Sequence, residues 1–314
     1  MNECRCRPEN GRGVASGSGR SPCAAVLRAW RGCRARRRGA PRGGLAPRAH
    51  HPGPPPTIQA VFLWIGFASF VAATVVFVFL FFLHGKREHY VLNFFCVAIA
   101  ALGYFANANG MGFVNVNSYT VNFARYLDWS ITTPLLVIDL AELGERPFAI
   151  KLTLVFADFL MIATGLFCAL CPAPMRWGFF AFSCLFFLVL LFILYQGYAR
   201  TLRLLPTDRD RNMYRVLIII FLATWNVYPV IFVIGTEGIR TLNPDVEVII
   251  LTFTDLTAKV IFGFIYLKLE DNKYEADIEK RVTKEVVFFE DENGVKYVRA
   301  QDGIALDEQG KIRA

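Results

Sequence analysis

Lysine is missing from the first 56 residues, and acid nearly so: Glu3 and Glu9 stand against twelve arginines. That stretch carries +10, the remaining chain is −2, and so the whole formal charge of +8 comes from the leader. The leader also lacks any apolar run able to build a core, which excludes a folded domain there. It lacks a clean secretory signal. Arg-rich and acid-poor composition is that of an organelle transit peptide; a disordered leader, or a start codon set too early, is the alternative expectation. Cysteine gives little. Cys4, Cys6, Cys23 and Cys33 lie in the leader, Cys96, Cys168, Cys171 and Cys184 lie in or beside apolar segments, and none joins a CxxC pair with His at zinc spacing. A bound metal is not expected, and buried Cys serves as a small hydrophobe.

What the chain has in quantity is apolar surface. Of 314 residues, 54% are hydrophobic and 14% aromatic, including 29 Phe, and the mean hydropathy is +0.39. That composition suits a surface that faces lipid. Seven apolar segments reach spanning length: 58–84, 90–110, 119–140, 148–171, 177–198, 214–235 and 246–269. A spanning helix needs about 20 such residues. The fifth segment, WGFFAFSCLFFLVLLFILYQGY, has no charge. Backbone groups in lipid must bond within their own segment, so helices are expected. The connections are short, so neighbours run antiparallel. The fold class is an all-α membrane protein, a seven-transmembrane-helix bundle over 57–270. The bilayer is its first partner.

Orientation follows from Lys and Arg in the short loops. HGKREH (84–89) and ARTLRLLPTDRDRNMYR (199–215) are basic, NANGMGFVNVNSYT (107–120) has no charge, and CPAPMR (171–176) has one. The basic loops and the C-terminus should be cytoplasmic and the N-terminus outside. A nucleic-acid-binding leader is disfavoured, because it would lie outside. The tail 271–314 is charged, and VVFFEDENGVKYVRA reads as two short strands about an Asn293-Gly294 turn.

Against this apolar background, charges inside the segments stand out, because each is costly unless paired or hydrated. The third segment carries Arg125, Asp128 and Asp139 with Thr132 and Thr133 between them; the fourth carries Asp158; the seventh carries Glu247, Asp255 and Lys259. Residues three, four, seven and eleven apart share a helix face. Asp128, Thr132 and Asp139 therefore stack on one face, with the carboxylates about 16 Å apart. Asp255 and Lys259 also share a face. Ion pairing alone is the plain alternative, but buried pairs rarely stabilise better than apolar residues would.

RYLDWSITTPLLVIDL (125–140) and DLTAK (255–259), with WNVYPV (225–230) and GTEG (235–238), resemble the microbial (type 1) rhodopsins. The likeness is greatest to bacteriorhodopsin and the light-driven proton pumps of fungi and algae. It covers about residues 58–270 and omits leader and tail. The resemblance implies that Lys259 binds all-trans retinal as a protonated Schiff base, chemistry a Lys amine supports. It implies Asp128 as counter-ion and proton acceptor, Asp255 as second counter-ion, and Arg125 as a modulator one turn outward. Asp139 is the implied donor that reprotonates from the cytoplasmic side, and Thr132 lies between the two carboxylates. Glu237 and Glu247 match the extracellular proton-release pair; two loop glutamates in solvent are the plain alternative. Trp129, Thr133, Asp158, Met161, Gly165, Trp225, Tyr228, Pro229 and Phe232 match retinal-lining positions. Phe232 and the Phe179-Phe180 pair stand where bacteriorhodopsin has Trp, and Leu136 at the tuning site suggests green absorption.

The implied activity is light-driven outward proton transport. A chloride pump would need a neutral residue at Asp128, and a sodium pump would carry Asn and Gln on that face. A light-gated cation channel is the runner-up, and a sensory photoreceptor follows. An enzyme rhodopsin would need more than a tail of this length, and a G-protein-coupled receptor would show NPxxY in the seventh segment, so no enzyme activity is expected. Family members often form trimers, and a homotrimer is carried as an expectation. The choice between plasma and organelle membrane stays open.

Overall fold

The computed structural model describes residues 55–84, 88–116, 119–172, 174–285, 287–290 and 296–299. The Arg-rich leader and the Asn293-Gly294 turn lie outside the described residues. Helix α1 spans Thr57–Leu83, α2 Glu88–Ala108, α3 Phe123–Leu143, α4 Phe148–Leu170, α5 Met175–Leu204 and α6 Asp208–Ile234. The seventh span has three parts: α7 Pro244–Leu256, a π-helical turn Thr257–Ile261, and α8 Phe262–Glu285. Consecutive helices pack on one another, α1 touches α7, and α6 touches α8, so the bundle closes on itself.

Local sequence sets the helix starts. Asn122 caps α3 by accepting from the Arg125 N–H at 3.3 Å. Thr207 accepts from the Asp210 N–H at 3.1 Å at the start of α6. Asn243 accepts from the Asp245 N–H at 2.8 Å, with Pro244 at the first helical position, where its missing N–H costs nothing.

Burial is inverted relative to a protein in water. Outward-facing apolar side chains are exposed, among them Phe79, Phe82, Leu188 and Phe192. The interior holds Asp128, Asp139, Asp158, Asp255 and Lys259 instead. Among the described residues, six helical spans are long and apolar enough to cross a membrane. The remaining helix of the bundle, α3, is the one with Arg125, Asp128, Asp139 and Glu142 in 21 residues. This is a multi-pass membrane protein with a seven-helix fold.

Several boundaries differ from those expected. Helix α5 runs on to Leu204 and α6 already starts at Asp208, so most of the basic stretch 199–215 read as a loop is helix. Residues 113–116 and 119–122 form an antiparallel hairpin, β1 Phe113–Val116 with β2 Tyr119–Asn122, pairing Phe113 with Asn122. The third helix therefore begins at 123 rather than 119, because the start of that segment is strand. Val121 is fully buried against Tyr126 and Ala169, which ties the hairpin to the bundle. The seventh helix continues past 269 to 285. Its last turns are polar but rich in Glu, Lys and Ala, residues that suit a helix in water. Beyond it β3 Val287–Glu290 pairs antiparallel with β4 Lys296–Arg299.

Candidate functional site

The charges of α3 and the seventh span meet in the interior. Lys259 is 2% exposed, and its Nζ donates to Asp128 Oδ2 at 2.8 Å. Asp255 Oδ1 lies 3.7 Å from the same nitrogen. Lys259 sits in the π-helical turn, a local widening that occurs mostly at functional sites. The two carboxylates are held differently. Asp255 accepts from Tyr228 at 2.7 Å, Tyr104 at 2.8 Å and the Trp129 indole at 3.4 Å. Asp128 has Lys259 on one oxygen, and its other oxygen takes no hydrogen bond among the described residues. Three donors thus hold Asp255 in place, while Asp128 faces the lysine nitrogen with a lone pair to spare. Thr132 is fully buried and donates to the Asp128 carbonyl at 2.9 Å, so it braces the helix rather than the carboxylate.

On one side of this pair lies an outlet. A cavity of about 10 Å³, the order needed for one water, is lined by Asp128, Asp255, Tyr104, Asn107 and Arg125. Arg125 points on from it to Glu247, 3.8 Å away, and lies over the Trp129 ring at 5.9 Å. Glu247 also accepts from the Thr236 N–H at 2.8 Å. Glu237 accepts from the Tyr126 hydroxyl and from the Asn122 N–H. Both glutamates are 7% exposed, which is not the state of solvated loop residues. Burial pushes the Glu237 carboxyl above the usual glutamate range, and the nearby Glu247 adds to this, while Tyr126 and Arg125 pull the other way.

On the opposite side Asp139 is fully buried. It accepts from the Asn93 amide at 3.0 Å. Cys96 lies between the two regions, its thiol 3.8 Å from the Thr132 carbonyl.

A family model described as bacteriorhodopsin-like protein matches residues 57–272. Cruxrhodopsin-1 of Haloarcula argentinensis is 34% identical over 236 residues, 68% of this chain and 91% of its own length. Two crystal structures of light-driven proton pumps are similar. Coccomyxa subellipsoidea rhodopsin has a TM-score of 0.63 at 31% identity, covering 68% of this chain and 97% of its own. The Leptosphaeria maculans pump has a TM-score of 0.64 at 27% identity, covering 72% and 99%. This chain belongs to the bacteriorhodopsin-like family.

Within the rhodopsin's bundle lies a largely apolar cavity of about 100 Å³. Trp129, Thr133, Met161, Gly165, Trp225, Tyr228, Pro229 and Phe232 line it. Asp158 does not line it. The carboxylate accepts from the Thr133 hydroxyl at 2.7 Å from behind, because α4 turns that position towards α3 rather than into the cavity. The two phenylalanines of α5 separate: Phe180 lines the cavity and stacks on Phe232 at 5.4 Å, whereas Phe179 packs on Phe167. Five further lining residues escaped the sequence reading: Tyr126, Ile162, Ser183, Cys184 and Phe187. Helical spacing from Trp129, Met161 and Phe180 was the available signal. Trp129 and Tyr228 both line the cavity and bond Asp255, so they join the cavity to the lysine.

Proposed function

We propose that this rhodopsin is a light-driven outward proton pump whose chromophore is all-trans retinal on Lys259. The observation that carries the reading is the Lys259 Nζ to Asp128 Oδ2 contact of 2.8 Å, deep in the bundle. The apolar cavity suits a polyene, with aromatic walls and few polar groups, and two of its lining residues, Trp129 and Tyr228, bond Asp255, which lies 3.7 Å from the lysine nitrogen. Retinal bound there as a protonated Schiff base supplies the light-driven isomerisation that powers transport. Asp128 Oδ2 accepts the proton from the lysine nitrogen. Asp255, held by Tyr104, Tyr228 and Trp129, stays an anion beside that nitrogen as second counter-ion. Once Asp128 is neutral, Arg125 loses a negative neighbour inward and leans on Glu247 and Glu237. Two buried carboxylates near one guanidinium can then give up a shared proton outward. Asp139 returns a proton to the lysine nitrogen from the other side. The basic loops favour the cytoplasm for that side and the outside for the N-terminus. Thr133, with Asp158 behind it, and the rings of Trp129, Trp225, Tyr228 and Phe232 form the walls of the site. The relatives' activity in the two solved pumps supports the same reading. A homotrimer in the bilayer is carried with it.

The test is light-induced pH change in retinal-supplied cells, with and without a protonophore. External acidification from no gradient, abolished by protonophore, is expected. A signal that only follows an imposed gradient would make the protein a light-gated cation channel and the α3 carboxylates permeation groups.

A further inference from the structure

A second cluster of titratable groups lies at the far end from Glu237. Asp271, on α8, is 6% exposed. Its carboxylate accepts from the Tyr90 hydroxyl at the start of α2. His89 Nε2 lies 3.3 Å from one oxygen and His84 Nε2, at the end of α1, lies 3.8 Å from the other. His84 stacks on Tyr90 with centroids 5.3 Å apart and planes 18° apart, and His89 leans on the same ring at 4.8 Å. Three helices therefore converge on one carboxylate, and two imidazoles are fixed in place. Residues 85–87, between α1 and α2, lie outside the described residues.

The cluster grades from surface to interior. The His84 side chain is 36% exposed, His89 16% and Asp271 8%. One turn along α2 from His89 comes Asn93, whose amide donates both to the His89 carbonyl at 3.2 Å and to Asp139 at 3.0 Å. A Cβ on Gly263 would lie 2.8 Å from the Asn93 side-chain oxygen, so glycine there lets α8 approach close enough to hold this amide. Glu270, next to Asp271, interacts electrostatically with both His89 and Asp139. Lys273, Glu142 and Glu145 also face Glu270, and Tyr266, Glu142 and Asn93 face Asp139. A graded set of acid–base groups thus runs from the loop side to the carboxyl assigned above as proton donor.

We propose that His84 and His89, held on Asp271, are the proton-uptake group that refills Asp139, on the side where Asn93 joins the His89 turn to the Asp139 carboxylate. The proposal rests on the donor role of Asp139. A proton from the cytoplasm binds an imidazole nitrogen and passes inward to the Asp139 carboxylate left when that residue gave its proton inward. Each donor ends in its starting state, so one proton moves and no other reactant is used. Asp271 is a positioning residue: it keeps the imidazoles in place. Histidine suits the task because its ordinary titration lies between about pH 5 and 8.

The experiment follows the last, reprotonating phase of the photocycle in the full chain by flash spectroscopy, between about pH 5 and 9, with a pH dye reporting uptake. In the wild type this phase should slow as pH rises through the histidine range. His84→Gln/His89→Gln should slow it at neutral pH by at least about tenfold and flatten that dependence, since a positioned acid–base group is lost. Asp271→Asn, which removes the charge that holds both imidazoles, should slow the phase at neutral pH, and Asp271→Glu should restore it. Unchanged dark absorption in these variants would show that the fold is intact. If the double variant keeps wild-type timing and the wild-type pH profile, the proposal is overturned. Asp139→Asn run in parallel separates the two readings. A slow phase there with normal histidine variants sinks only the uptake cluster; normal timing there sinks the donor assignment as well.

Discussion

Lys259 and Asp128, 131 residues apart in sequence, meet at 2.8 Å inside the bundle. Neither charge could be left there alone: an ion taken out of water costs several kcal/mol unless it is compensated. The pair is not a stabilising device, since apolar residues would pack as well. Under the proposed function its value is contact close enough for proton transfer, with Asp255 3.7 Å from the same lysine.

Lys259→Ala should abolish visible absorption after retinal is added, because it removes the buried amine held between Asp128 and Asp255. Asp128→Asn should move absorption to longer wavelength and cut transport by about a hundredfold or more, as expected when a proton acceptor is removed. Spectra of purified, retinal-supplied variants check both. Retained colour in the first, or an unchanged spectrum in the second, would remove the corresponding assignment.

Glu237 gives a pH prediction with a definite sign. Its carboxyl is pushed above the usual glutamate range by burial, so the folded protein keeps this proton at pH values where the unfolded chain has lost it. The contribution to stability is full below the unfolded glutamate value and is lost as pH rises through the raised folded value. Heating in detergent from about pH 4 to pH 8 should therefore show the wild-type Tm falling relative to that of Glu237→Gln as pH rises. A difference in Tm independent of pH would contradict the burial argument.

The bundle was legible because its signal is coarse: apolar runs of spanning length separated by short polar loops. The interior charges were legible for the same reason, each standing alone against apolar neighbours. What was not legible is local or long-range. Strands of four residues, such as Phe113–Val116, are too short for alternation to mark them against the adjoining helix. The π-helical turn at Lys259 has no residue signature, because it is set by how the seventh span packs. The extension to Glu285 was taken for tail because its charge excludes it from lipid, although charge does not exclude helix. His89 and Asp271 are 182 residues apart, and no spacing rule connects them.

Asp139→Asn should slow the late phase of the photocycle and leave the early phase alone, because Asp139 lies on the opposite side of the lysine from Glu237. External azide, a small acid that can carry protons inward, should restore the rate. An unaffected late phase, without and with azide, would contradict the donor role. Asn93→Leu should act in the same direction, since it removes the amide that holds the Asp139 oxygen at 3.0 Å. Its cost in stability should be about 1–3 kcal/mol, the penalty for a buried polar group left without its partner.

The last prediction concerns a residue with no chemistry of its own. Gly66 on α1 faces Tyr104, and a Cβ there would come within 2.4 Å of the Tyr104 ring. The hydroxyl of that ring holds Asp255 at 2.8 Å. Gly66→Ala must therefore displace the ring, and with it one of the three donors that fix Asp255. Overpacking of this kind costs about 1–3 kcal/mol, so the variant should bleach at lower temperature. A purely steric effect would end there. If Tyr104 also sets the charge beside Lys259, Gly66→Ala should change the absorption maximum too, and Tyr104→Phe, which keeps the ring and removes only the hydroxyl, should shift it in the same direction. A lowered bleaching temperature with both spectra unchanged would confine Tyr104 to packing and leave Tyr228 and Trp129 as the groups that hold Asp255.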